Sequence, residues 1–355
     1  MAAVQKKGTT VADELSYKKA GVDIDTADAA KRDMAKSLET ADKRILNKHG
    51  AFATLLDGTF PECQHPVLVY KTEEPGSKQK LAIQHGRVAS ICYDLVNHLV
   101  NDIIVMGAKP VAVQDAIICG KLERAVVTKL VATIAEACRA QGCVLTGGET
   151  SEQPGVLEAG TYVLVASIIG VVDQAKIIDG SKIAEGDQVV AVASNGLHTN
   201  GYSLVRALMA RKPEILERKV DGEPFLDAIL RPHTCYYQAF RGLFDLPELH
   251  GLAHITGGGI QDNLNRILPP NLNASIDRGL IRILPVFKLI REMGAVPDDD
   301  MLRTFNMGVG MTLVVAEAAV DRVREHLGGK GHDACVIGQI VPGEKKVAYR
   351  GRLEW

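Results

Sequence analysis

Residues 94–107, Asp-Leu-Val-Asn-His-Leu-Val-Asn-Asp-Ile-Ile-Val-Met-Gly, constrain the chain more than any other stretch. On a helix from about Ser90 to Gly107, Leu95, Val96, Leu99, Val100, Ile103 and Ile104 cover most of the circumference, so the helix must be packed on nearly every side. Asp94, His98, Asn101 and Asp102 stand at i, i+4, i+7 and i+8 and share one narrow stripe. Two carboxylates and an amide on so apolar a helix need cations or donors opposite them. Oxygen ligands of this kind suit Mg²⁺, which takes a few carboxylates and leaves the rest of its shell to phosphates. A stripe facing solvent would satisfy the same groups, and spacing alone leaves both readings open.

The 355 residues predict two domains, each large enough for its own core. Charge is nearly balanced, 41 Lys plus Arg against 43 Asp plus Glu, and aromatics are only 5%. Both observations argue against a nucleic-acid-binding protein, which needs a basic patch or stacking platforms. The most apolar run, Tyr162–Val172, is too short to span a membrane, and the N-terminus has no apolar secretory segment. Seven cysteines without a CxxC pair suit reduced thiols, hence a cytoplasmic location.

Strand and helix patterns alternate along the chain. Pro66–Tyr70, Val111–Cys119, Cys143–Thr146, Tyr162–Val172 and Asp187–Ser194 read as strands. Helical spacing occupies Ala29–Leu46, Leu122–Ala140 and Tyr202–Arg211, and a further helix is expected to run from Gly259 through Ile267. Pro110 is expected to end the helix of the polar stripe. A charged seam at Asp173–Asp187 separates the two series, predicting domains at 1–172 and 173–345. The fold class is α/β (α+β), two mixed α/β domains.

Three glycine-bearing segments follow strands. Gly147-Gly148-Glu149-Thr150 can cradle an anion on free backbone N–H groups while Glu149 holds a cation, or can be a tight turn. Ser194-Asn-Gly-Leu-His-Thr-Asn-Gly201 joins a strand to a helix, with Thr199 and Asn200 as expected N-caps and His198 as a group able to move protons near neutral pH. His254-Ile-Thr-Gly-Gly-Gly259 is a second anion-cradle candidate or a glycine-rich turn. The chain lacks GxxxxGK[ST], a GxGxxG after a strand, HExxH and GxSxG, which excludes P-loop, Rossmann, zincin and α/β-hydrolase chemistry.

Seven motifs, in order and spacing, resemble one family. They are Ser16-Tyr-Lys-Lys-Ala-Gly-Val-Asp-Ile-Asp25, Asp94-Leu-Val with Val100-Asn-Asp102, Gly147-Gly-Glu-Thr150, Ile178-Asp-Gly180, His198-Thr-Asn-Gly-Tyr-Ser-Leu-Val-Arg206, His254–Gly259 and Arg303-Thr-Phe-Asn-Met-Gly-Val-Gly-Met311. The family is phosphoribosylformylglycinamidine cyclo-ligase, or aminoimidazole ribonucleotide synthetase. The resemblance implies a first domain that dimerises through its sheet and a second with glycine-rich substrate loops. It also implies a reaction in which ATP, with Mg²⁺, phosphorylates the formyl amide oxygen of formylglycinamidine ribonucleotide. The amidine nitrogen then attacks that carbon, phosphate leaves and the imidazole ring closes. Carried over residue by residue, it places the nucleotide at Thr72, Gly76, Ser77, Lys78, Asn101, Gly147, Gly148 and Glu149, the last reaching it from a neighbouring loop or a dimer partner. The metal falls to Glu73, Asp94 and Asp102. Substrate falls to Ser194, Asn195, Thr199, Asn200, Thr256, Gly257, Gly258, Gly259 and Asn306, with His198 and Lys18 as the catalytic pair.

One segment departs from the family pattern. Where Thr-Asp-Gly-Val-Gly-Thr-Lys is usual, this chain has Thr72-Glu-Glu-Pro-Gly-Ser-Lys78. Glu73 lengthens the carboxylate arm, Glu74 adds negative charge where phosphates approach, and Pro75 deletes an N–H donor. A second glycine segment is thinned to Lys48-His-Gly-Ala-Phe52. A variant that keeps the reaction, an ATP-dependent relative that activates another amide or acid, and a non-catalytic homologue are the readings this leaves.

Overall fold

The structure is a computed structural model that describes residues 16–47 and 50–355, so Lys48 and His49 of the thinned glycine segment lie outside the described residues. The first half is built from α1 (Ile24–Leu38), β1 (Pro66–Glu73), α2 (Lys78–Gln84), α3 (Val88–Ile104), β2 (Lys109–Cys119), α4 (Arg124–Ala140), β3 (Val144–Glu152) and β4 (Tyr162–Asp173). Its sheet has the order β1-β4-β2-β3; only the β2–β3 pair is parallel. Helices α3 and α4 cover one face, and α1 packs on α4. Strand β1 alternates with period two: Val67, Val69, Lys71 and Glu73 point inward, while Leu68, Tyr70 and Thr72 are exposed on the far face.

The second half contains β5 (Gln188–Ala193), α5 (Tyr202–Arg211), β6 (Lys219–Val220), β7 (Glu223–Pro224), α6 (Phe225–Ile229), α7 (Tyr237–Phe240), β8 (Leu249–His254) and α8 (Gly259–Leu264). It continues through β9 (Leu272–Asp277), α9 (Pro285–Gly294), α10 (Asp298–Thr304), β10 (Val309–Val315), α11 (Val320–Gly329), β11 (Ala334–Pro342) and β12 (Val347–Arg350). The main sheet runs β12-β9-β11-β5-β10-β8, antiparallel except at β12–β9. Every residue of β10 is buried, which explains its unbroken Val-Gly-Met-Thr-Leu-Val-Val run. The architecture is thus the expected pair of mixed α/β units, the first sheet ending at Asp173 and the second opening at Gln188.

Several local expectations are corrected. The first helix is Ile24–Leu38, started by Asp23, whose carboxylate accepts from Thr26 N. Pro110 does not end α3. That helix stops at Ile104, Gly107 turns the chain at φ +76, and Pro110 sits inside β2 where the register with β4 shifts. Gly147-Gly148-Glu149-Thr150 is not a loop but part of β3, again at a register shift. Gly148 has no room for a side chain there: a Cβ would stand 2.0 Å from an Asp115 carboxylate oxygen. Thr199 and Asn200 do not cap α5; Gly201 occupies that position at φ +81, and no side chain caps the first turn.

Candidate active site

The polar stripe of α3 is turned away from solvent. Its Asp94, Asn97 and Asn101 are buried and bind the irregular segment 230–236 of the second half. Asp94 Oδ1 accepts from His233 N at 2.7 Å and from Lys78 Nζ at 2.8 Å. Asn97 Nδ2 donates to His233 O at 2.6 Å. Asn101 donates to Thr234 O at 2.8 Å and accepts from Tyr236 N at 3.0 Å. These bonds satisfy the backbone of a segment with no strand or helix partner, which fixes one half on the other.

The next turns of the stripe reach a histidine cluster. Asp102 Oδ1 accepts from His254 Nδ1 at 2.7 Å, and His254 Nε2 lies 3.0 Å from His233 Nε2. His198 stacks on His233 with ring centroids 3.9 Å apart, and His98 sits 5.2 and 5.4 Å from the His254 and His233 rings. Burial drives His198 and His233 well below the ordinary imidazole pKa and His98 down to about 4, so these rings are neutral at pH 7. Burial pushes the Asp102 carboxyl up, but its hydrogen bond to His254 and the nearby Lys71 ammonium hold it below the usual carboxylate range. His198 keeps φ +60, rare for a residue with a side chain, while Tyr202 Oη donates to its carbonyl at 3.2 Å.

Glu73 joins this site from the end of β1. Lys71 Nζ bridges Glu73 Oε2 at 3.1 Å and Asp102 Oδ2 at 3.0 Å, and His98 Nε2 is 3.9 Å from Glu73 Oε2. Asp94 is instead committed to Lys78, which is fully buried and also donates to Arg231 O at 2.6 Å. Burial pushes Asp94 up to about 6 against the pull of Lys78, and lowers Lys78.

The remaining expected residues separate into two groups. Around the cleft, Gly76 comes within 3.2 Å of Thr199 O (measured from an added Cβ), and Thr199 Oγ1 is 3.1 Å from His98 Nδ1. Ser77 starts α2. Ser194 Oγ donates to Asn306 Oδ1 at 3.1 Å and Asn306 Nδ2 donates to Gly196 O at 3.0 Å, so this pair braces the 194–201 loop. Asn195 Nδ2 donates to Pro232 O at 2.8 Å, whereas Asn200 Nδ2 is buried without a partner. Thr256, Gly257, Gly258 and Gly259 turn into α8, with Asn263 donating to the carbonyls of Gly257 and Gly259. Gly259 tolerates no side chain, since a Cβ would lie 1.9 Å from Leu302 O. Three expected residues stand apart. Thr72 lies on the opposite sheet face, 2.7 Å from Ser167 Oγ. Glu149 is exposed on the edge strand β3. Lys18 is 70% exposed in an ion pair with Asp23. Lys71, Asn97, Arg231 and His233 were not anticipated; a Pro-flanked histidine in an irregular segment carries no spacing signal.

The buried histidines and carboxylates thus gather where the two mixed α/β units meet. Residues 64–172 match the AIR synthase related protein N-terminal domain, and residues 184–350 its C-terminal domain. The hydrogenase maturation protein HypE from E. coli shares the fold at a TM-score of 0.66 and 16% identity, covering 92% of this chain and 93% of that one. HypE in complex with ATP gives a TM-score of 0.60 at 18% identity, with coverages of 90% and 89%. Phosphoribosylformylglycinamidine cyclo-ligase from Nitrosococcus oceani is 40% identical over 329 residues, 92% of each chain. The chain belongs to the phosphoribosylformylglycinamidine cyclo-ligase family.

Proposed function

We propose that this chain closes the imidazole ring of formylglycinamidine ribonucleotide in purine biosynthesis, consuming ATP to form a carbon–nitrogen bond. The observation that carries the reading is 40% identity sustained through both halves of the chain, over 92% of its length. An amide oxygen is a poor leaving group and becomes a good one when phosphorylated, so catalysis reduces to positioning the two substrates and balancing the transferring charge.

The donor set fits Mg²⁺ in part. Glu73 and Asp102 would hold the cation, although the Lys71 ammonium now lies between the two carboxylates. Asp94 offers one carboxylate oxygen free of any bond, but its other oxygen holds Lys78 and the His233 backbone. Bound Mg²⁺ would supply charge neutralisation at the ATP phosphates. Lys78 anchors the cleft floor, and the braced 194–201 loop presents backbone N–H groups at the start of α5 to an anion. His198 stands as a neutral ring with both nitrogens unengaged, the form that accepts a proton.

The far face of the first sheet, covered by Phe60 at Val171 and Ala112 but leaving Leu68 47% and Tyr70 67% exposed, supports a homodimer formed through that face. Among the described residues no helix is long and apolar enough to cross a membrane, and a cytoplasmic location follows from the pathway. The test is to follow ADP and aminoimidazole ribonucleotide together after mixing purified protein with formylglycinamidine ribonucleotide, Mg²⁺ and ATP. Matched formation of both products is expected; substrate binding without either product overturns the reading.

A further inference from the structure

Two of the clustered histidines, His198 and His233, keep ring nitrogens that no group of the protein uses. Both ring nitrogens of His198 and Nδ1 of His233 are buried without a hydrogen-bond partner, although each residue is at most 2% exposed. Buried polar atoms are normally paired, so three orphaned nitrogens in one cluster call for a physical reason. We propose that His198, His233 and His254 form a buried site for a transition-metal cation of the Zn²⁺ type, held by three imidazoles.

Geometry supports this assignment. One nitrogen from each ring lies within 4.8 Å of the others. His233 Nε2 and His254 Nε2 are already 3.0 Å apart, close to the roughly 3.3 Å separating two nitrogens bound tetrahedrally to one ion at about 2.0–2.1 Å. His198 lies stacked on His233, centroids 3.9 Å apart, and must turn out of that stack to complete the trio. Behind His254 stands Asp102, accepting from Nδ1 at 2.7 Å, which leaves Nε2 as the lone-pair nitrogen facing the ion. A carboxylate behind a ligating imidazole is the support such sites use. Asp94, bonded to the His233 backbone at 2.7 Å, adds a second negative group nearby.

The chemistry also separates this site from Mg²⁺. Three imidazole nitrogens suit Zn²⁺, Ni²⁺, Cu²⁺ or Fe²⁺ and offer a hard oxygen-seeking cation nothing. A second grouping, His98 with Asp102 and His254, is the rival. There the Lys71 ammonium already sits 3.0 Å from Asp102 Oδ2, and His98 Nδ1 is engaged with Thr199. Binding through His198 takes the lone pair that would accept a proton, so the ring serves one purpose or the other at a given time. The proposal does not depend on the ring-closure reading.

Untagged full-length protein is stripped with chelator, dialysed against Zn²⁺ and then against metal-free buffer, and its metal content measured. One equivalent of Zn²⁺ per chain is expected, with X-ray absorption showing imidazole nitrogen at the zinc, and Co²⁺ substitution giving the intense visible bands of four-coordinate cobalt. His233→Ala and His198→Gln should each abolish retention while His98→Ala keeps it, circular dichroism confirming that each variant is folded. The wild-type absorption spectrum decides the matter should a variant not fold. No retained zinc, zinc without imidazole scatterers, or loss confined to His98→Ala overturns the assignment.

Discussion

Lys78 and Asp94 face each other across the floor of the cleft, Nζ to Oδ1 at 2.8 Å, with neither side chain reached by solvent. Such a pair contributes little net stability relative to apolar residues, but removing one partner strands a charge in a dry site. Asp94→Ala is therefore expected to cost about 3–5 kcal/mol, and the Lys78→Met, Asp94→Leu double variant to recover much of that loss. Urea unfolding of the three proteins checks this; a double variant as unstable as Asp94→Ala would contradict it.

Asp115 lies in β2 under Gly148, and burial pushes its carboxyl up to about 7. Its folded pKa exceeds the unfolded value, so the native state holds a proton that the unfolded chain releases first. Stability from this group is complete below about pH 4 and declines as pH rises to about 7. Asp115→Asn should gain on the wild type by roughly 1–3 kcal/mol between pH 5 and pH 7. Denaturant midpoints for both proteins at the two pH values provide the comparison, and an unchanged difference rejects the prediction.

Glu73 points into the cleft beside Asp102, whereas the exposed Glu74 only donates its backbone N–H to Glu73 Oε1 at 3.1 Å. Glu73→Gln should weaken apparent Mg²⁺-ATP affinity by about tenfold or more, the worth of one lost charged ligand. Glu74→Gly should leave it unchanged or slightly stronger. Mg²⁺ titrations of ADP formation separate the two; equal effects would remove this segment from the metal.

Tyr70 is two-thirds exposed, and its row on the sheet continues through Ile169 and Ala112. If two copies join on this face, Tyr70→Asp buries an unpaired charge at the joint and yields monomers. Light scattering after size exclusion reads the mass directly, and a wild-type monomer at micromolar concentration ends the dimer reading.

Patterning made the alternation of strand and helix legible where it is strong, as in α3, apolar on nearly every side, and in β4, whose run at 162–172 was read almost to its observed bounds. What the stripe on α3 binds was not legible. Its partners are backbone groups of 230–236, which lie more than 130 positions downstream and leave no mark on local spacing. Gly147-Gly148 was read as following a strand and lies within one, Gly148 being held to glycine by the Asp115 carboxyl packed against it. His198, Glu73 and Asp102 were named from motif order, whereas His254 entered only as part of a glycine-rich segment and His233 not at all; both join the cluster only in three dimensions.

The pinning of α3 to residues 230–236 has a consequence in time. Asp94 waits for His233, which leaves the ribosome 139 residues later, and Lys78 waits for Arg231 across 153. At about 5–20 residues per second the delay is roughly 7–30 s, during which the Asn97 and Asn101 amides of an otherwise apolar helix have only water to bind, and Asp94 has only Lys78. The first half cannot finish its own interior before the second arrives, so a gene severed at the seam would yield two products dependent on meeting each other.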